Sequence, residues 1–516
     1  MSLKSIFNKW KKRTGCQEPH NINRSNPKPH LTGSLTTDEQ AIYRGLGEGA
    51  DIIRRKLLIG NTPAVLIYID GIVDEKLIHH DVLNKLQQVK VFPPQDIGLS
   101  YIAQKILSTS TTKNSLLFAD IYVDILLGNT VLLVEGIGEA LIISTRGGER
   151  RAVSEPPTER TTRGSREGFV EDITVNLAFI RRKIKSTDLA IEIMHIGERS
   201  KTKVAIAYIT DIADPKIIQE VRRRLSKIKI DAVLGSGYIE RLIEDNHWSL
   251  FPQTFGTERP DRVAANMLEG RIAIVVDGTP YVLVVPTLFI QFFQGSEDYF
   301  ERLIVGSVAR LVRFLAFIIT TTLTAVYIAL VTFHHSLLPT DLLHAVIEAR
   351  QKVPFTPLIE ALYMEIIIEI LREAGLRLPQ PVGQTLGVVG GIVLGQAVIQ
   401  ANLVSPLIIV VVALSAISSF VFPNYSASLA IRLIKFPMMI LAAMFGALGI
   451  AVGWVFFTIH LASMQSFGVP YLAPLAPTRY ADLRDTFIWS SFKYNQQRPV
   501  SMPHLDDKRS GKDGKE

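Results

Sequence analysis

The pattern of hydrophobic positions divides this chain into two regions. Up to about residue 300, short apolar runs alternate with charged positions, as in a protein that buries one face of each strand or helix. Three long stretches without a formal charge follow, at 314–333, 379–431 and 436–477. Because a helix needs about 20 apolar residues to cross a bilayer, the sequence predicts an all-α polytopic membrane domain over 291–478.

The uncharged stretches predict four membrane spans. They are expected at 314–333, 382–401, 404–422 and 436–461. Asn402 indicates a tight turn between the second and third spans. Ser405 followed by Pro406 is typical of an N-cap and a first helical residue, so the third span is expected to begin there.

The polar region contains two related halves. The segment 64–86 resembles 204–225, and 118–145 resembles 260–287 at a nearly constant offset. Each half contains a β-branched strand and an amphipathic helix, then a helix ending at glycine and two strands joined by a tight EG or DG turn. This pattern predicts two tandem α/β subdomains that share one core architecture.

Changes in composition set the boundaries of these parts. The first α/β subdomain is expected over 46–150 and the second over 170–290. The segment 151–169 is rich in Gly, Pro, Ser and charge, which predicts a linker. Residues 1–45 are basic and polar and are expected to form a disordered arm, and residues 479–516 a polar tail.

The segment 357–374 predicts a helix that is both apolar and acidic, with Gly375 as its C-terminal stop. Glu360 lies in the first turn, where the helix dipole favours a carboxylate. Helical spacing places four charged residues within one arc of the surface: Glu365, Glu369, Arg372 and Glu373.

Two interpretations of this acidic helix remain open. In the first, the helix lies in the membrane interface with its charges among the lipid headgroups. In the second, it lies within the membrane and its candidate ion-pathway residues, Glu365, Glu369 and Glu373, face water. Carboxylates repeated around an oligomer would then form rings that attract cations.

Loop charges leave the number of spans at four or five. With four spans and a cytoplasmic N-terminal region, Arg372, Arg377, Arg432 and Lys435 would fall outside, against the positive-inside rule. If the helix 357–374 also crosses, these residues fall inside and the tail falls outside.

A stripe of glycines follows in the second expected span. Gly383, Gly387, Gly391 and Gly395 recur at every fourth position. Small residues at this spacing allow the backbone of another helix to approach closely. We therefore expect this stripe to pack against a partner helix, within the chain or between subunits.

Charge and motifs exclude several other functions. The chain has 516 residues, a net charge of +7 and one cysteine, so an intrachain disulfide is impossible. The N-terminal segment lacks the apolar core of a signal peptide, and the polar region is therefore expected to be cytoplasmic. Phosphate-binding, metal-binding and nucleophile motifs are absent from the sequence. We expect no enzyme, no cofactor, no metal site and no nucleic-acid partner.

Three long segments resemble the A-subunit family of GerA-type spore germination receptors. They are EGRIAIVVDGTPYVLVVPTLFIQFFQGSEDYFERL, VPFTPLIEALYMEIIIEILREAGLRLPQPVGQTLGVVGG and RGSREGFVEDITVNLAFIRRKIK. The resemblance covers about 50–480 and departs locally at Ser165, where many relatives carry proline.

The resemblance implies a place and a set of partners. It implies a multi-pass subunit of a nutrient-responsive receptor in the spore inner membrane, together with a transporter-like B subunit, a lipoprotein C subunit and membrane lipid. It also implies that the A subunit oligomerises and contributes the path for ion release. The alternative from another class is a secondary transporter that acts alone. That alternative is disfavoured because the detectable repeat lies in the polar region and not among the spans.

Overall fold

The computed structural model describes residues 30–90, 95–107, 111–147, 161–377, 395–489 and 496–509, with positions 156, 158, 159 and 391. The chain divides into two compact units. The first contains Met1–Leu46, Ile52–Ile69 and Val73–Arg146, and the second contains Gly47–Asp51, Asp70–Ile72 and Gly147–Glu516.

The first unit is built on a five-stranded antiparallel sheet with the order β1-β2-β4-β5-β3. Its strands are β1 Ile52–Ile59, β2 Thr62–Ile69, β3 Thr112–Ser115, β4 Thr130–Val134 and β5 Ala140–Ile143. Its helices are α1 Leu35–Gly45, α2 over Glu75–Leu77, Ile78–Leu83 and Asn84–Gln87, α3 over Gln95–Tyr101 and Ile102–Ile106, and α4 Phe118–Leu126. The middle of α2 and the end of α3 are π-helical.

Helix α1 corrects one expectation about the N-terminal arm. Residues 35–45 were expected to be disordered, yet they form a regular helix. Ile42 and Leu46 are almost completely buried, and this apolar face gives the segment a reason to fold. Residues 1–29 lie outside the described residues.

The second unit contains a sheet of the same design, with the order β6-β7-β9-β10-β8. Its strands are β6 Leu189–Ile196, β7 Thr202–Ile209, β8 Phe255–Thr257, β9 Ile272–Val276 and β10 Val282–Val285. The helices around it are α5 Ile173–Lys183, α6 Pro215–Ser226, α7 Ser236–Ile243 and α8 Pro260–Met267.

The shared strand order confirms the predicted repeat. Gly136 and Gly278 occupy the two equivalent hairpin turns, and both have a φ of +82°. Glycine adopts this conformation without the steric cost that a Cβ would bring. Gly128 and Gly270, which follow α4 and α8, also have positive φ, as expected for glycines that end helices.

The C-terminal helices belong to the same unit as the second sheet. They are α9 Glu297–Phe300, α10 Leu303–Thr332, α11 Thr340–Arg350, α12 Pro357–Arg377, α13 Pro406–Ser419, α14 Tyr425–Phe445 and α15 Ala447–Ser463. Among the described residues, α10 and α14 are long and apolar enough to cross a membrane, and α13 and α15 are shorter apolar helices. The expected span 314–333 thus coincides with the second half of α10, which starts earlier, at Leu303, and ends at Thr332.

The C-terminal helices pack directly on the second α/β subdomain. Phe289, which follows β10, contacts the rings of Phe317 in α10 and Phe457 in α15, with centroids 5.9 and 6.4 Å apart. These rings belong to a buried cluster that also includes residues of α5 and α8. The start of α10 and the end of α15 therefore lie at the same end of the bundle, next to the second sheet.

The last expected span, 436–461, is wrong as a single helix. Gly446 has a φ of +61° and ends α14, and α15 then runs back along it. Gly449 and Gly453 allow this close contact. A Cβ on Gly449 would lie 2.0 Å from the carbonyl oxygen of Leu441, and one on Gly453 would lie 2.4 Å from the sulfur of Met438.

The other expected helix ends hold in part. Helix α12 begins at Pro357 as predicted, but it continues through Gly375 to Arg377, because a glycine within a helix weakens it without stopping it. Helix α13 begins at Pro406, and the turn residue Asn402 has a φ of +54°, as predicted.

The glycine stripe is only partly described. Gly383 and Gly387 lie outside the described residues. A Cβ on Gly391 or Gly395 would meet no atom within 4 Å. Within the described part of this chain, these two glycines therefore have no closely packed partner helix.

The C-terminal tail folds back on the second α/β subdomain. The backbone N–H of Leu505 donates to the carbonyl of Ile212 at 2.8 Å. Arg498, which is 8% exposed, donates through Nε to the carbonyl of Leu268 at 2.8 Å. The tail and this subdomain therefore lie on the same side of the helix bundle.

Candidate functional site

A buried ion-pair network lies between α12 and α14. Lys435 of α14 directs its Nζ to Glu365 Oε2 in a short contact, and Nζ lies 3.5 Å from Glu369 Oε1. Arg432, one turn earlier, places Nη1 3.3 Å from Glu369 Oε2. Glu365 is 0% exposed and Lys435 is 1% exposed. The charges at the centre of the network are thus removed from solvent.

Helical spacing explains why these side chains meet. Glu365 and Glu369 lie four residues apart on α12, and Arg432 and Lys435 lie three residues apart on α14. Each pair therefore occupies one helix face, and the packing of α12 against α14 brings the two faces together. Thr324 of α10 completes the site, because its hydroxyl donates to Glu365 Oε1 at 3.2 Å.

A third cation closes the network on the side of the second α/β subdomain. Arg372 lies 3.2 Å from Glu369 Oε1 and donates to the hydroxyl of Ser419 at 3.1 Å. Its guanidinium also stacks over the ring of Phe420 at 4.7 Å. Two carboxylates therefore face three cations, and the network carries one more positive than negative charge.

The structure separates the third candidate carboxylate from the other two. Glu373 does not contact Lys435 or Arg432 in the described structure and instead pairs with Arg377 at 2.7 Å, where its side chain is 61% exposed. The expected acidic stripe thus consists of the buried Glu365, the partly exposed Glu369 and the exposed Glu373, each of them paired with a cation.

Glu360 has a structural partner that the sequence did not indicate. It is 0% exposed, lies 3.0 Å from Arg350 of α11, and accepts the backbone N–H of Ser405 at 3.1 Å. Ser405 precedes α13, so Glu360 satisfies a free N–H group at the start of that helix. Its carboxylate therefore acts between helices as well as within its own first turn.

A second charged cluster lies where α10 meets the second α/β subdomain. Asp298, 1% exposed, lies 3.0 Å from Arg310 Nε and 2.7 Å from Arg313 Nη1. Arg310 also reaches Asp485 of the tail at 2.8 Å. Arg310 and Arg313, both in the first half of α10, thus connect the helix, the subdomain and the tail.

Sequence reasoning missed the basic partners of the candidate carboxylates. It treated Arg432 and Lys435 as loop charges that report topology, whereas both lie inside α14. Their three-residue spacing, set between apolar residues, was the available signal. Two cations on one face of an apolar helix need carboxylate partners, and Glu365 and Glu369 have the matching spacing.

The carboxylates of this network are neutralised by the neighbouring basic side chains. In this conformation Lys435 pairs with the fully buried Glu365, and Glu369, whose side chain is 31% exposed, pairs with Arg432 and Arg372. Among the residues that the structure describes, no group of three or more His, Cys, Asp or Glu is placed to hold a metal ion.

Comparison with known proteins gives a consistent result over most of the chain. A model of the Bacillus/Clostridium GerA spore germination protein family matches residues 40–501. Spore germination protein KA of Bacillus subtilis (strain 168) is 42% identical over 486 residues, which cover 94% of this chain and 89% of that protein. The uncharacterized membrane protein YfkQ of the same organism is 41% identical over 469 residues, covering 90% of this chain and 91% of that protein.

A solved structure matches the N-terminal half. It is the crystal structure of the N-terminal domain of the A subunit of the Bacillus megaterium spore germinant receptor GerK3. The sequences are 38% identical, the match covers 51% of this chain and 98% of that chain, and the TM-score is 0.41.

Proposed function

This chain belongs to the Bacillus/Clostridium GerA spore germination protein family, and from that premise we propose that it is the A subunit of a nutrient-responsive germination receptor. It lies in the spore inner membrane with a transporter-like B subunit and a lipoprotein C subunit, and it forms oligomers. Its role is non-catalytic. It contributes the path through which ions leave when nutrient is detected.

The observation that carries this proposal is the pairing of Glu365 with Lys435 between apolar helices. Ionisable residues in such helices are costly and mark ion pathways, relays or gates. Glu365 and Glu369 are the cation-attracting groups, and Glu373, exposed near the end of α12, stands at the entrance. Lys435 and Arg432 hold the two inner carboxylates neutralised in the resting conformation.

The arrangement of the bundle supports a topology with an even number of membrane passes. Helix α10 starts and α15 ends at the end next to the second α/β subdomain, and the tail packs on that subdomain. We place the subdomain and the tail together in the cytoplasm. Because the last expected span consists of two helices, α14 and α15, an even total requires α12 to cross the membrane as well.

Co-purification tests the receptor assignment. The chain would be expressed with B and C subunits of a receptor of this family, solubilised in mild detergent and purified through a tag on the tail. We expect both subunits to elute with it, at a mass that requires more than one A subunit. A monomer that carries neither subunit, yet takes up solute in vesicles, would instead support a secondary transporter.

A further inference from the structure

An exposed tryptophan projects from the loop between α7 and β8. Trp248 is 96% exposed and Leu250 is 52% exposed. The sequence from Asn246 to Thr257 contains no formally charged residue. A large aromatic side chain in this position would be costly in water, because its apolar surface gains nothing from solvation.

This loop lies beside the end of the last apolar helix. Ser249 Oγ lies 3.1 Å from Nε2 of His460 and 3.2 Å from the sulfur of Met464. The ring of Phe251 lies 5.6 Å from that of Phe457. Trp248 and Leu250 are neighbours of these anchored residues, so they lie at the level of the last turns of α15.

The helix surface at this level is apolar and unoccupied by the described chain. On α15, Phe456 is 68% exposed and Ile459 is 60% exposed. His460 is the first ionisable side chain on the helix after the apolar run that begins at Ala447. The change from apolar to polar residues marks the boundary between hydrocarbon and headgroups, and the loop lies at that boundary.

The loop is held in one conformation by its own hydrogen bonds. The amide of Gln253 donates to the carbonyl of Asn246 at 2.7 Å and accepts the backbone N–H of Asp245 at 3.0 Å. Asn246 in turn accepts the backbone N–H of Trp248 at 3.0 Å. Asp245 turns away from the exposed residues to pair with Arg224. A fixed scaffold therefore presents Trp248 at the surface.

We infer that His247–Leu250 is an interfacial membrane anchor, with Trp248 and Leu250 inserted among the lipid headgroups. Tryptophan favours this depth because its ring is apolar and its indole N–H still reaches polar partners. The inference rests on the proposed membrane location of the helices. The anchor adds a direct contact between the bilayer and the second α/β subdomain. This contact supplements the attachment of the subdomain to the membrane through α10.

Lipid is the occupant favoured by continuity with α15. The exposed apolar residues of this helix and the exposed residues of the loop lie next to each other, so one bilayer surface covers both. The loop offers two large apolar side chains and a histidine, which suits shallow insertion.

A cysteine-labelling experiment tests the anchor on the full chain. Cys16 is the only cysteine and would be changed to serine. Trp248→Cys and Leu250→Cys would carry an environment-sensitive fluorophore after reconstitution into lipid nanodiscs. The matched control is Arg199→Cys, whose native side chain is 85% exposed.

The control site lies at the opposite end of the same sheet. Arg199 is in the turn between β6 and β7, beyond the pairing of Val204 with Val276. The other end of β9, at Ile272, pairs with Val285, close to the hydrogen bond from Thr287 to Ser466 after α15. A label at 199 therefore reports an aqueous position on the same subdomain.

We expect aqueous iodide to quench the label at 248 and at 250 several-fold less than at 199. Nitroxide attached near the lipid headgroup should quench only the labels at 248 and 250. If the labels at 248 and 250 respond like the label at 199, the anchor does not exist. If they are shielded from iodide but insensitive to nitroxide lipid, protein covers the loop and the inference is equally overturned.

The experiment separates this inference from the proposed function. Failure of the anchor would leave a chain that still co-sediments with lipid after a carbonate wash. A chain that does not remain with lipid after that wash would overturn the membrane placement itself, and the anchor with it.

Discussion

Neither Lys435 nor Glu365 could keep its charge in this buried environment without the other. An unpaired ion moved from water into a protein interior costs several kcal/mol even after relaxation. The two side chains are in direct contact, and Thr324 donates to the remaining carboxylate oxygen of Glu365. Each of the two residues therefore stays charged in this buried position only because the other is present.

Removing one member of this pair should destabilise the protein, and removing both should not. Glu365→Gln strands Lys435 without its principal carboxylate, and Lys435→Met strands Glu365. Each single change should cost about 3–5 kcal/mol. The double variant leaves no unpaired charge, and Thr324 can still donate to the new amide. Abundance in the membrane fraction and thermal unfolding in detergent measure the effect.

The matched control for this series is Glu348→Gln, on an exposed position of α11. It removes one negative charge at the surface and should change the unfolding temperature little. Wild-type abundance and unfolding temperature in both single variants would contradict the pairing.

The environment of Glu244 predicts that the stability of the second α/β subdomain depends on pH. Burial raises the pKa of Glu244 from 4.5 to about 7, and the charge of Glu240 adds to the increase. Between these two values the folded chain holds a proton that the unfolded chain releases. The contribution of Glu244 to stability therefore falls as pH rises from about 4.5 to about 7.

Glu244→Gln should remove this dependence. The variant should gain unfolding temperature over the parent above pH 7, and the gain should shrink as pH falls towards 4.5. Glu198→Gln, on an exposed turn, is the control and should show no such trend. Parallel pH profiles for the parent and Glu244→Gln would show that this carboxyl does not titrate in that range.

At the scale of elements, the helical hairpin of α14 and α15 shows where pattern reasoning stops. Hydropathy is continuous through Gly446, so composition alone merges the two helices into one span. The repeat in the α/β region was predictable because its turns at Gly136 and Gly278 separate strands with polar flanks. A glycine between two apolar arms looks the same in sequence whether the chain continues or turns back. The reversal becomes visible only through the contact between Gly449 and Leu441.

The surroundings of Gly449 and Gly395 predict opposite effects of an added methyl group on the abundance of the protein. Gly449→Ala adds a methyl group 2.0 Å from a backbone oxygen, so α15 must move away from α14. Gly395→Ala meets no atom within 4 Å and should be tolerated or slightly stabilising, since alanine favours helix. Membrane-fraction abundance should fall several-fold for the first variant only. Equal abundance of both would show that the two helices do not pack this closely, and a loss at Gly395 would indicate a partner outside the chain.

At the scale of the whole molecule, the acidic helix was recognisable from sequence, but its electrical state was not. The carboxylates of α12 and the cations of α14 are separated by more than sixty positions along the chain (365 to 432). Their pairing depends on how α12 packs on α14, which no local pattern reports. The sequence predicted free carboxylates facing lipid headgroups or water. The structure instead has Glu365 and Glu369 neutralised by α14, so an ion pathway through this site must include the separation of α12 from α14.

Cation release from spores at matched protein abundance tests this account most directly. A strain lacking its own A subunit would carry this chain, the Glu365→Gln/Lys435→Met double variant or the Glu348→Gln control, with the cognate B and C subunits. After nutrient addition, we expect several-fold slower cation release from the double variant than from the parent and the control, although its receptor assembles normally. Release at the parental rate from a normally assembled double variant would contradict a role for this ion pair in the pathway.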